Sequence, residues 1–133
     1  MFSCLPRVRN ANLVFVPTGL YPGIIFTTPT HPSVMGADAV GILLSPSSHP
    51  LYSQPVLVSS AVNWIADPIA PEGPAQFGIL GATSVTEGRG TFAEYLVVGE
   101  GDVVECPKHF RERGRDGWSE AAAVPLGGLT AYR

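Results

Sequence analysis

Glycine and proline interrupt this chain so often that no long helix can run through it. Its 133 residues hold 15 glycines and 13 prolines. Proline removes a backbone donor and clashes with the preceding helical turn, and glycine is costly to order inside a helix. Helical bundles and coiled coils are therefore excluded. The length predicts one domain, since domains commonly take about 100–200 residues. Hydrophobic residues make up 45%, enough for a core and too many for simple disorder.

The punctuation divides the chain into short segments. Residues 12–16 read as a short strand or a turn of helix, followed by the turn Gly19-Leu20-Tyr21-Pro22-Gly23, by Ile24-Ile25-Phe26, and by a Thr/Pro/His stretch to Ser33. Val34 to Leu44 reads as a buried strand kinked by Gly36 and Gly41, the device used at barrel corners. Ser45 to Pro55 is a polar loop, Val56 to Trp64 a second buried strand, and Asp67 to Pro74 a proline-rich loop. Phe92 to Val98 is a third strand, rich in aromatic and β-branched residues. Val103 to Cys106 is a fourth, stopped by Pro107. Ser119 caps a helix carrying Glu120 and three alanines, which Pro125 and Gly127-Gly128 limit. Residues 129–133 open a further element. The pattern predicts a small, mainly β barrel or sandwich with short C-terminal helical segments.

Charge narrows the function classes. Charged residues are only 14%, against about 25% in an average domain, so part of this surface is expected to be covered by something else. The net charge of −3 gives no basic footprint for nucleic acid. Four basic residues, Lys108, Arg111, Arg113 and Arg115, fall close together and read as a solvated loop; a phosphate or acidic-partner site is the sharper alternative. No apolar run reaches the roughly 20 residues of a membrane span, and the amino end lacks a signal-peptide pattern. Cys4 and Cys106 make neither a disulfide framework nor a metal knuckle and read as free thiols in a reducing compartment; the cytoplasm is expected, with a transit peptide, suggested by Arg7, Arg9 and the missing acids, as the alternative.

Local motifs carry little chemistry alone. Gly88-Arg89-Gly90-Thr91-Phe92-Ala93 has the spelling of a dinucleotide fingerprint, but a strand composition follows it where that fingerprint needs a helix. It reads as a glycine turn into a strand. His31, His49 and His109 lack the spacing of a metal site and read as loop residues. Asp38 and Glu94 are lone carboxylates in apolar segments; burying either demands a partner, which makes them anchors first and functional candidates second.

Four strings taken together resemble one family. Asn10 with Gly19-Leu20-Tyr21-Pro22-Gly23 resembles the LN…GLYPG stretch of the medium-chain dehydrogenase/reductase superfamily. Gly36-Ala37-Asp38-Ala39-Val40-Gly41 resembles its G-x-[ED]-x-x-G strand, and Gly90-Thr91-Phe92-Ala93-Glu94-Tyr95 its G-x-[FW]-AEY motif. Ala121 to Tyr132 resembles the AAA-x-P-x-x-x-LTAY segment that leads into the cofactor domain. The zinc-independent, quinone-oxidoreductase-like branch is the most similar, and the region of Trp64, Asp67-Pro68 and Phe77 to Gly81 is similar to one of its bacterial and fungal subgroups.

The resemblance implies a GroES-like, partly open β-barrel over residues 1–128, incomplete at its N-terminus, with 129–133 as the start of a Rossmann domain that is missing. It implies a catalytic-domain fragment of an NAD(P)H-dependent oxidoreductase acting on a quinone, an enone or a related small carbonyl, inactive alone. The alternative is a non-catalytic barrel remnant with a binding role or none. By the resemblance, Tyr21 and Asn10 take catalytic roles, Thr130 and Asn10 hold the nicotinamide of NADP or NAD, and there is no metal site. Each has a plainer role open to it: Asn10 capping a turn, Tyr21 packing beside Pro22, Thr130 capping a helix. Departures accompany the match. Ala37 stands where zinc-dependent relatives carry a histidine ligand, and the structural-zinc lobe is missing. Leu13, Phe15 and Pro17 replace an acid, a frequent aromatic hydroxyl and a basic residue.

Overall fold

The structure, a computed structural model, describes residues 3–4, 6–12, 34–64, 66–71, 77–81 and 89–132, those up to 12 by their backbone alone. Its centre is a four-stranded antiparallel sheet of β2 (Pro6–Asn12), β3 (Asp38–Leu43), β4 (Pro55–Val58) and β8 (Val103–Glu105), in that spatial order. Two small ribbons accompany it. β1 (Ser3–Cys4) pairs with β7 (Val98–Gly99), and β5 (Ala61–Val62) with β6 (Gly78–Ile79). Among the described residues these three sheets do not join into a closed barrel.

β3 is buried along nearly its whole length because both faces of the sheet are covered. Alternate residues of a strand point to opposite faces. Ala39 and Leu43 join Val56, Val58, Val98 and Val103 in one apolar cluster, while Val40 joins Leu57, Cys106, Ala121 and Ala122 in another. This is why Ala39 to Leu43 reads as an apolar run, whereas Val34, Met35 and Leu44, the ends of the expected strand, lie outside β3 and are exposed. The second cluster is roofed by α2 (Gly114–Ala122), whose Trp118 packs there beside Phe110 of α1 (Lys108–Glu112). A wide helical turn, Val124–Gly128, then leads into α3 (Leu129–Tyr132).

Two glycines let separate backbones touch. Gly36 adopts φ +96°, and a Cβ there would run into the Thr91 hydroxyl and the Phe92 ring. A Cβ on Gly90 would overlap the carbonyl oxygens of Val34 and Met35. The contact is sealed by the Thr91 N–H donating to Gly36 O (2.9 Å) and the Phe92 N–H to Met35 O (3.0 Å).

Several expected elements are corrected. The strand expected from Val56 to Trp64 breaks in two, because the Ser59 N–H donates to Asp102 O (2.7 Å) and Ser60 O accepts the Leu80 N–H (3.0 Å). Asn63 at φ +64° then ends β5. The strand expected from Phe92 to Val98 contributes only a bridge at Tyr95 and the start of β7, since its first residues bond to the 35–36 backbone. Ser119 is no cap. It lies inside α2, where its hydroxyl donates to Arg115 O (3.2 Å). The basic segment read as a loop is helical. Arg113 grips Glu120 with both guanidinium nitrogens (2.5 and 2.7 Å), Lys108 pairs with Glu112 (3.4 Å), and Arg111 with Glu105 (3.0 Å).

Candidate functional site

The site region is the junction between the sheet and the C-terminal helical segment. Asp38 begins β3 and is 1% exposed. Its Oδ1 accepts the Leu126 N–H at 2.7 Å, across 88 residues of sequence. Burial pushes its carboxyl above the ordinary value, and that hydrogen bond pulls the other way. A lone acid in an apolar segment thus has the partner its burial demands. Glu94, the other such acid, is exposed, so it does not bear the cost of burial that was expected of it.

Asn10 lies on β2 opposite Val40, just after a bulge between Val8 and Asn10. Thr130 stands exposed on α3. The sheet and the helices that carry these two residues meet through α2 and through the Asp38–Leu126 bond. Tyr21 lies outside the described residues, as do His31, Leu13, Phe15 and Pro17. Ala37, next to Asp38, is buried and offers no donor atom. Among the described residues no three of His, Cys, Asp and Glu converge to hold a metal. His49 Nδ1 accepts the Leu51 N–H (3.0 Å), and the exposed His109 ring lies 4.0 Å from that of Phe110. After Gly90 the backbone bends through Thr91 to Glu94 without forming a helix. No helix among the described residues is long and apolar enough to cross a membrane.

Two buried or half-buried groups, Asp102 and Thr91, escaped the sequence reading, and a third, Cys106, is the free thiol it expected. Asp102 caps its own turn, its Oδ2 accepting the Gly99 N–H (2.9 Å). Burial raises its carboxyl, while that bond and the Arg89 charge lower it. Cys106 is a fully buried thiol pushed up by desolvation, with Arg111 opposing and Glu105 adding to the rise. Thr91 is fully buried, and its hydroxyl has no hydrogen-bond partner among the described residues. The only sequence sign of Asp102 and Thr91 is a polar residue inside an apolar or glycine-rich stretch.

No protein-family model matches the chain, and no curated protein matches it either. Among solved structures, the crystal structure of an NAD-dependent alcohol dehydrogenase is similar, with a TM-score of 0.69 at 25% identity. The match covers 98% of this chain and 37% of that one. The fold is thus alcohol-dehydrogenase-like, and the chain spans little more than a third of the similar enzyme's length.

Proposed function

We propose that the chain is part of the substrate-facing domain of an NAD(P)H-dependent oxidoreductase, in the zinc-independent, quinone-oxidoreductase-like branch of the medium-chain dehydrogenases. Residues 1–128 form its GroES-like portion, and 129–133 open the cofactor domain. The observation that carries this reading is the likeness to an NAD-dependent alcohol dehydrogenase over nearly the whole chain. The order of the four motifs supports it. Ala37 favours the zinc-free branch, because a methyl group cannot ligate a metal.

The substrate is a quinone, an enone or a related carbonyl. Tyr21 and Asn10 donate hydrogen bonds to its oxygen as negative charge develops there. Thr130, exposed on α3, has a hydroxyl that can reach a ligand and, with Asn10, holds the nicotinamide amide. The bound nicotinamide of NADP or NAD supplies the hydride. The pyrophosphate berth belongs elsewhere, because a berth of that kind needs a glycine turn opening a helix, and the turn at Gly90 opens none.

Two measurements test the reading. The coding frame past Arg133 is expected to run into a strand–GxGxxG–helix unit. A stop codon there, with no quinone-dependent NADPH oxidation, leaves the non-catalytic barrel reading. The chain alone, titrated with NADPH while Trp64 and Trp118 fluorescence is followed, is expected to show no saturation. Tight saturable quenching would place the cofactor berth within these residues and overturn the division of labour.

A further inference from the structure

The wide turn Val124–Gly128 starts without a cap of its own. The residue before it is Ala123, whose methyl group accepts nothing. The first N–H groups of any helical turn have no partner within it. Here the missing acceptor comes from far along the chain. Asp38 Oδ1 reaches the Leu126 N–H at 2.7 Å from the start of β3, on the face of the sheet that α2 covers. Gly127 and Gly128 follow at once, and α3 continues from them in helical conformation. Neither glycine has a side chain with which to hold the turn to the sheet.

We infer that Asp38 is a positioning residue: by receiving the Leu126 N–H it ties the Val124–Gly128 turn to β3 and so sets the bearing of α3 and Thr130. That this bearing matters for a ligand rests on the function proposed above; the tie itself does not. Asp38 acts through Leu126 and needs no contact with substrate or cofactor. A carboxylate in this place serves as a remote helix cap, an acceptor that a local Ser or Asp would ordinarily supply.

Amide hydrogen exchange on the 133-residue chain, with no cofactor present, tests the inference separately from the proposed function. In the unsubstituted chain, Leu126 is expected to be the slowest-exchanging amide of residues 124–132. Asp38→Ala is expected to speed exchange there about ten- to a hundredfold, the worth of a hydrogen bond to a charged group, while Val40, Val56 and Val58 keep their protection. Asp38→Asn, which retains an acceptor oxygen, is expected to restore slow exchange at Leu126. Loss spread evenly over β3, β4 and the helices would make Asp38 a strut of the whole fold and overturn the inference. Should Asp38→Ala not fold, the unsubstituted chain and Asp38→Asn decide: slow exchange at Leu126 in both supports the tie, and fast exchange in either overturns it. NADPH binding, or its failure, leaves this result unchanged.

Discussion

The two faces of the central sheet are held by different means. On one, Leu43, Val56, Val58 and Val103 meet Leu80, Leu96 and Val98, and each contact is apolar and shared among several neighbours. On the other, Val40 and Leu57 meet the small Ala121 and Ala122 with the partly buried Phe110 and Trp118 around them, and a single buried carboxylate spans the gap to Leu126. The first face keeps its register through many weak contacts that do not depend on direction. The second adds one directional bond, which fixes where a particular turn sits. The difference teaches that the helical segment bearing Thr130 owes its place to polar geometry as much as to apolar area.

The largest effect belongs to the apolar face. Leu43→Ala removes a fully buried side chain from among close neighbours and is expected to cost about 2–5 kcal/mol in urea unfolding. A cost below about 1 kcal/mol would mean that this face is loosely packed, and the contrast would fail.

Asp38 is the next lever. At neutral pH, Asp38→Ala is expected to be less stable than Asp38→Asn by about 1–3 kcal/mol, because alanine leaves the partly buried Leu126 N–H without its acceptor. Its pH dependence sharpens the point. The folded carboxyl is held above the ordinary 3.8, so the folded state binds the proton more tightly than the unfolded state does. Its contribution to stability is therefore greatest below 3.8 and shrinks as pH rises through the raised folded value. Asp102 is raised as well and acts in the same direction. Asp38→Asn is expected to flatten the fall in urea midpoint above pH 3.8 without abolishing it, since Asp102 remains. An unchanged slope would count against a buried, proton-sensitive Asp38.

Thr91 supplies the opposite case, a buried polar group with no partner among the described residues. Valine has nearly its shape and no hydroxyl to leave unsatisfied. Thr91→Val is expected to raise stability by about 1 kcal/mol, seen as a higher urea midpoint at unchanged slope. A loss instead would show that the hydroxyl is satisfied in solution.

How much of this the sequence made legible depends on where the deciding contact lies. β3 is readable because its signals are local: an apolar run, with glycines at the kink and inside it. β8 is readable for the same reason, with Pro107 marking its end. The break between β4 and β5 is not, because Ser59 still pairs with Asp102 in register with β8 while Ser60 changes partner to Leu80, and both partners lie far along the chain. The helices from Lys108 to Ala122 hid behind two glycines and a dense run of charge. Their stability comes from Phe110 and Trp118 docking on Val40 and Leu57, which no local propensity encodes. Asp38 was readable as an acid in need of a partner, but Leu126 could not be named, since a backbone N–H has no spelling. Asn10 and Thr130 owe their candidacy to motif resemblance. The structure puts Asn10 on β2 opposite Val40 and Thr130 on α3, and adds the tie between Asp38 and the turn that leads into α3.

The smallest effect expected is at Arg113. Its two-pronged grip on Glu120 is the most regular ion pair described, yet both side chains are about half exposed. Water screens such a pair and ordering two long side chains costs entropy, so exposed pairs contribute about 0.2–1 kcal/mol. A double-mutant cycle of Arg113→Ala and Glu120→Ala is expected to return a coupling in that range, reduced further by added salt. The same helix buries Ala121 and Ala122 against the sheet, so its attachment should survive the loss of the pair with the Trp118 emission unchanged. A coupling above about 2 kcal/mol, or a red-shifted Trp118 in Arg113→Ala, would show that surface charge rather than the sheet holds α2, and the second face would need a different account.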